Sequence, residues 1–253
     1  MIIFRYDRTF DGLLTAVFDA YNRKTFPDRL LGPDEPEPMF AEECYTVITQ
    51  NDKSIRVWKS LEKKLLNITC NMLKYVWLSE QSGSDELLFR YIRKTYDNKH
   101  SIEMNFGDAD VLDMRNLAKK VEKEKLRLIQ FVRFQKAADD IFFAPVSPVF
   151  NALPLAIDHF AERFADQKLV IYDMKRNYGY YYDLKTVSEM TLDMKENFPD
   201  GKLDEKLMAE DEKQFQQLWK GYFTSMTIKE RINPKLHRQN LPRRYWKYLT
   251  EKQ

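Results

Sequence analysis

The densest set of residues able to do chemistry lies between Ile228 and Gln253 of this 253-residue chain. Lys229, Arg231, Lys235, Arg238, Arg243, Arg244 and Lys247 alternate there with His237, Tyr245, Trp246 and Tyr248. Guanidinium forks match phosphate oxygens bidentately, and aromatic rings stack on unpaired bases. Arg231, Lys235, Arg238, Arg243, Arg244, Tyr245, Trp246 and Lys247 are therefore the candidate nucleic-acid-binding residues. Among them, Arg231, Arg243 and Arg244 are expected to hold phosphate, with Tyr245 or Trp246 stacking. The segment carries eight Lys/Arg against two Glu, whereas residues 191–212 carry eight Asp/Glu against three Lys. Such asymmetry makes a local anion site even though the whole chain is only +2. The same residue types also suit a solvated tail that Tyr245 and Trp246 pin to a core.

A second constellation is Asp158-His159 with Glu162 and Arg163 one turn later. His159 and Arg163 share a helix face by the i, i+4 rule. A histidine beside carboxylates can act as a general acid or base, so His159, Glu162 and Arg163 are the catalytic candidates. A salt-bridge network on a helix face is the other reading. Asp7 and Asp11 bracket a strand-to-helix junction and suit either magnesium or a helix cap. Asp173, Lys175 and Arg176 fall at a hairpin turn, where charge is ordinary.

Several patterns do not occur: a Walker A loop, a dinucleotide fingerprint after a strand, paired CxxC motifs, a histidine-rich metal box and a three-cysteine cluster motif. No cofactor or metal is expected, and the chain should not itself be a radical-SAM enzyme. Cys44 and Cys70 make no disulfide framework and fit a reducing compartment. No apolar run reaches the length of a signal h-region or a membrane span, so a cytoplasmic protein without membrane contact is expected.

The elements that must position these groups follow from periodicity. Ile2–Tyr6 reads as a strand, Thr9 as an N-cap, and Phe10 to Lys24 as an amphipathic helix through Leu13, Leu14, Val17 and Tyr21. Residues 25–40 hold four prolines and read as an ordered loop or a surface linker. Tyr45–Thr49 reads as a strand, and helices are expected at Asp52–Leu66, Ile68–Ser79, Asp85–Tyr96 and beyond Asp110. The run Lys119–Lys125 reads as a solvated turn of that last helix. Ile141–Phe143 reads as a strand closed by Pro145 and Pro148, and Leu153–Phe164 as a helix. Leu169–Asp173, Tyr178–Asp183 and Thr186–Thr191 read as an antiparallel meander, with Tyr178, Tyr180 and Tyr182 on one face. Phe198–Gly201 reads as a turn, and residues 209–229 as a helix with an apolar stripe from Phe215 to Met226. Pro234 and Pro242 break the tail into short pieces. The expected class is α+β, mostly helical with a small antiparallel β-sheet. One domain over 1–253 is expected, with a helical part at 1–138 and an α+β part at 139–253.

Four stretches together resemble one family: Tyr6-Asp7-Arg8-Thr9-Phe10-Asp11-Gly12-Leu13-Leu14, Val132-Arg133-Phe134, His159-Phe160-Ala161-Glu162-Arg163-Phe164, and the tail from Lys229-Glu230-Arg231-Ile232-Asn233-Pro234 through Leu241-Pro242-Arg243-Arg244-Tyr245-Trp246-Lys247. The family is a bacterial domain of unknown function labelled a DNA-metabolism or DNA-repair protein. Its members are encoded beside a radical-SAM protein of DNA modification or repair, and a similar domain elsewhere is fused to a uracil-DNA glycosylase-like domain. The resemblance implies DNA and that radical-SAM protein as partners, and an accessory role in repair or modification. It supplies no catalytic residue. The chain departs from the expected pattern at Arg8, where the first glycine of Tyr-Asp-Gly-Thr-Phe-Asp-Gly would stand. Two further readings stay open. One is an enzyme acting on a damaged base or nucleotide through His159. The other is an interaction domain without nucleic-acid contact.

Overall fold

The computed structural model describes residues 1–192 and 207–252. The expected turn at Phe198–Gly201 lies outside them. About 50% of the described residues are helical and 14% are strand, which makes the protein α+β. Its backbone divides into two compact units, Met1–Val121 and Glu122–Gln253.

The first unit opens with β1 (Ile2–Arg5), α1 (Phe10–Arg23), β2 (Arg29–Leu31) and β3 (Glu43–Thr46). Helices α2 (Asn51–Lys64), α3 (Asn67–Trp77) and α4 (Ser84–Asp97) follow, and then the start of α5 (Ala109–Phe131). Thr9 caps α1, accepting from the Gly12 N–H at 2.9 Å, while Asp7 accepts from the Thr9 and Thr49 hydroxyls at 2.7 and 2.8 Å. Burial alone would raise Asp7, but those donors outweigh it and hold the carboxyl below its usual range. Asp7 thus organises the cap, and Asp11 stands exposed in the first turn of the helix. Leu13, Leu14, Val17, Leu61, Leu88 and Ile92 are buried as the helical period requires.

The sheet of this unit corrects two expectations. It is parallel, in the order β2-β1-β3, with Phe4 opposite both Leu30 and Tyr45. α1 is the crossover that a parallel β1–β2 pair needs. β2 lies inside the proline-rich stretch read as loop, and three residues are too few to show any alternation there. Arg8, at the position where the family pattern leads one to expect glycine, has φ of 58°, the left-handed region that glycine enters without strain.

The second unit contains β4 (Gln135–Lys136), β5 (Phe142–Val146), α6 (Leu153–Arg163), β6 (Leu169–Asp173), β7 (Tyr178–Tyr182) and β8 (Val187–Met190). After the acidic segment come α7 (Glu212–Met226), a 3-10 turn (Lys229–Arg231), α8 (Pro234–Asn240), α9 (Arg243–Trp246) and a final 3-10 turn (Thr250–Lys252). The strands run in the order β4-β5-β6-β7-β8. The meander β6-β7-β8 is antiparallel as expected, but β5 and β6 pair in parallel, so the sheet is mixed. The physical reason is α6, which carries the chain back over the sheet between β5 and β6.

Pro145 lies within β5 and does not close it. The Phe142 N–H points to β6, donating to the Lys168 carbonyl at 2.9 Å, so the missing Pro145 donor faces the other edge. On that edge β4 reaches only from Phe142 to Phe143. One sheet face packs Ala144, Val146, Leu169, Ile171 and Tyr182 under α6 residues Leu153, Ala156, Ile157 and Phe160. Tyr178, Tyr180 and Tyr182 do share a face, and Tyr182 is buried there. The opposite face centres on Phe143, Val170 and Tyr172.

Candidate nucleic-acid interface

The basic segment is folded against the second unit. Pro242 lacks an N–H and biases the residue before it away from helix, so α8 stops at Asn240 and α9 begins afresh at Arg243. Asn233 caps α8, its side chain accepting from the Leu236 N–H at 3.0 Å, and Pro234 occupies the first turn. Leu241, Tyr245 and Leu249 recur every four residues and enter the same core as Leu128, Ala156 and Ile171.

Two carboxylates lock the segment further. Glu124 is 1% exposed and accepts from Arg244, from Arg127 at 3.4 Å and from the Val149 N–H at 2.9 Å. Burial alone would push Glu124 up, but the Val149 amide and the Arg244 guanidinium outweigh it and hold the carboxyl below its usual range. Glu251 receives Arg133 and the Trp219 Nε1–H, both at 2.9 Å. Burial opposes ionisation there too, and the Trp219 and Arg133 donors win.

The predicted residues separate by exposure. Arg231, Lys235, Arg238, Arg243 and Lys247 are exposed. Arg244 and Tyr245 are not: the guanidinium is engaged with Glu124, and the Tyr245 ring is buried beside Phe131. Burial raises the Tyr245 phenol well above its ordinary pKa, so the ring stays neutral. Trp246 is half-buried, donates to the Leu241 carbonyl at 3.1 Å and stacks on His237, with 5.6 Å between centroids and 23° between planes. Burial and nearby Lys252 hold His237 below the usual imidazole range, so this stack is uncharged at neutral pH.

Glu124 belongs to the run read as a solvated helical turn, and its burial corrects that reading. Charge alternation hid it, but spacing marks it, since Glu124 follows Val121 by three residues and precedes Leu128 by four. Asp173 is a similar case. It sits at the hairpin turn but is fully buried, and Arg176 Nη1 donates to it at 2.8 Å while reaching the Pro148 carbonyl at 3.3 Å.

The His159 constellation does not assemble. The half-buried imidazole meets the ring of Phe160, Glu162 is exposed, and Arg163 lies over the Phe164 ring. Among the described residues no ion pair joins Asp158, His159, Glu162 and Arg163. A cleft of about 250 Å³ in this unit is lined by Val132, Arg133, Phe134, Phe142, Phe164, Gln167 and Leu169, without His159 or Arg163. In the first unit, Val17, Phe18, Tyr21, Arg56 and Tyr96 border a cleft of about 480 Å³. Among the described residues no group of three or more His, Cys, Asp or Glu is arranged to hold a metal ion, and no helix is long and apolar enough to cross a membrane.

No curated protein matches the chain. A solved structure, the pGpG-specific phosphodiesterase PggH from Vibrio cholerae, is 11% identical with a TM-score of 0.27, covering 89% of this chain and 99% of that one. A likeness this low carries no inference. Residues 82–251 match a family described as a domain of unknown function, DUF4130. The match takes in α4, α5 and the whole interface just described, while the Tyr6–Leu14 stretch lies outside it. With more than half of its length matched, the chain belongs to the DUF4130 family.

Proposed function

We propose that this protein is an accessory factor of DNA repair or modification that holds a nucleic-acid backbone on its basic C-terminal segment. One observation carries the reading: Arg231, Lys235, Arg238, Arg243 and Lys247 are exposed on a segment that Leu241, Tyr245, Leu249 and the Arg244–Glu124 pair fasten to a core. Cations on a fastened support lose less freedom on binding than cations on a loose tail. Each phosphate they neutralise releases a condensed counterion. Arg244 and Tyr245 then act as the support, and Trp246 with His237 lies beside the cations. The resemblance of the tail supports DNA as the ligand and a radical-SAM protein as the partner that the factor serves.

The test is anisotropy of a labelled duplex at two salt concentrations, with the wild type and an Arg231→Glu, Arg238→Glu, Arg243→Glu variant. Salt-sensitive binding that the triple variant loses supports the reading. Absence of binding at low salt, to this duplex and to a single strand alike, overturns the nucleic-acid role. Co-purification with the neighbouring radical-SAM protein tests the partner separately.

A further inference from the structure

α7 presents an apolar face to solvent. Phe215, Leu218, Tyr222 and Met226 fall within one arc of the helix, and Phe215 and Tyr222 are 59% and 56% exposed. Four long apolar side chains exposed on a single helix face mark a surface that binds something. What it binds is indicated by its other edge. There Trp219 and Phe223 turn toward the final 3-10 turn, and cations lie over their rings. Arg133 sits 5.5 Å from the Trp219 ring and Lys252 sits 4.9 Å from the Phe223 ring. Lys252 is also 5.7 Å from the Trp246 ring, which Arg243 approaches at 5.9 Å from elsewhere. Trp219 and Tyr222 are themselves neighbours, 5.7 Å apart and inclined by only 30°. Rings and positive charges therefore run from α7 to the basic segment, through Phe223, Lys252, Trp246 and Arg243.

We propose that this surface takes single-stranded nucleic acid, with unpaired bases on the α7 rings and the backbone on the adjoining cations. The inference rests on the nucleic-acid reading above and deepens it by naming the strand state. Only an unpaired base offers its π-face to a ring at the protein surface; a duplex keeps those faces stacked inside. Charge complementarity argues in the same direction, because Lys252 and Arg243 adjoin these rings and a phosphate backbone carries the opposite charge. Trp219 is held by Glu251 through its Nε1–H, so its ring plane is fixed before any base arrives.

The experiment compares a labelled oligothymidylate of about 15 nucleotides with a duplex of the same length by anisotropy at low salt. Wild-type protein is set beside Tyr222→Ala, Phe223→Ala and Arg243→Glu, with circular dichroism as the fold control. Single-strand affinity above duplex affinity, falling roughly tenfold or more in Tyr222→Ala, is the expected result. Equal affinity for both ligands, weakened by Arg243→Glu but not by Tyr222→Ala or Phe223→Ala, overturns this inference and leaves the nucleic-acid reading standing. Binding of neither ligand overturns both. A dimer in sedimentation that Tyr222→Ala dissociates, with oligothymidylate affinity unchanged, assigns the face to a second copy and also overturns it.

Discussion

Arg244 donates to Glu124, a carboxylate 120 residues earlier in the chain and 1% exposed. One of two adjacent arginines that equally suit a phosphate is thus bound to an internal anion, and its neighbour Arg243 is exposed. Removing the carboxylate leaves Arg244, Arg127 and the Val149 amide without their acceptor. Glu124→Leu should therefore destabilise the second unit by about 3 kcal/mol, in the range for a buried pair broken on one side. Urea denaturation should show a lower midpoint with an unchanged slope.

Arg243 and Arg244 should separate in binding experiments. Arg243→Ala should reduce the slope of log K against log salt by about 0.9 on duplex or about 0.7 on single strand, one phosphate contact in each case. Arg244→Met should leave that slope unchanged and lower stability. A smaller slope for Arg244→Met would put its guanidinium on the ligand and not on Glu124.

Acid should loosen the same region. Glu124 and Glu251 both have folded pKa values below the ordinary 4.5. Groups depressed on folding contribute stability that is fully present above their unfolded pKa and lost as pH falls through the folded one. The loss should thus begin below about pH 4.5 and deepen on further acidification. Trp219 donates to Glu251, so its fluorescence should report the step, and Glu251→Gln should remove its share of the pH dependence while leaving that of Glu124.

At Arg8 two effects oppose each other. Glycine would relieve a left-handed backbone by about 1 kcal/mol. It would also remove the 2.6 Å bond to Asp85, a carboxylate only 7% exposed that the Tyr6 hydroxyl also meets at 2.9 Å. A charge-assisted bond of that kind contributes about 2 kcal/mol. Arg8→Gly should accordingly be less stable by about 1 kcal/mol. In an Asp85→Asn background the same change should be stabilising. A thermal-denaturation cycle over the four proteins reads the sign reversal.

Gly179 lies in β7, where a Cβ would fall 2.4 Å from the Ile171 carbonyl oxygen and 2.8 Å from the Tyr172 ring. Both neighbours belong to β6 and cannot move aside without breaking the ladder. Gly179→Ala should cost about 2 kcal/mol, within the range for overpacking, and calorimetry would show it as a lower Tm.

Much of the fold was legible because most elements display their period. α1, α4, β6 and β7 announce themselves through Leu13-Leu14-Val17, Leu88-Ile92 and the alternating tyrosines. The parallel pairings were not legible. β2 is three residues among prolines, and nothing local states that β5 pairs with β6 across α6. The site was legible in composition but not in arrangement. Sequence marks Arg243 and Arg244 alike, and only the position of Glu124, far away in the chain, distinguishes them. The apolar stripe from Phe215 to Met226 was visible as a period. Its exposure was not, because a period says which residues share a face and not what the face meets.

The core of the second unit draws on Leu128 at one extreme and on Leu241, Tyr245 and Leu249 at the other. During synthesis the strands β4 to β8 and α6 leave the ribosome long before the last residues of the core they share. Met1–Val121 is a compact unit by itself, and it can settle while translation continues. The second unit cannot complete the core around Ala144, Val146 and Ile171, even with α6 in place, until residue 249 emerges. A ribosome stalled before Leu241 should therefore display a folded first unit joined to a chaperone-binding, protease-sensitive second one.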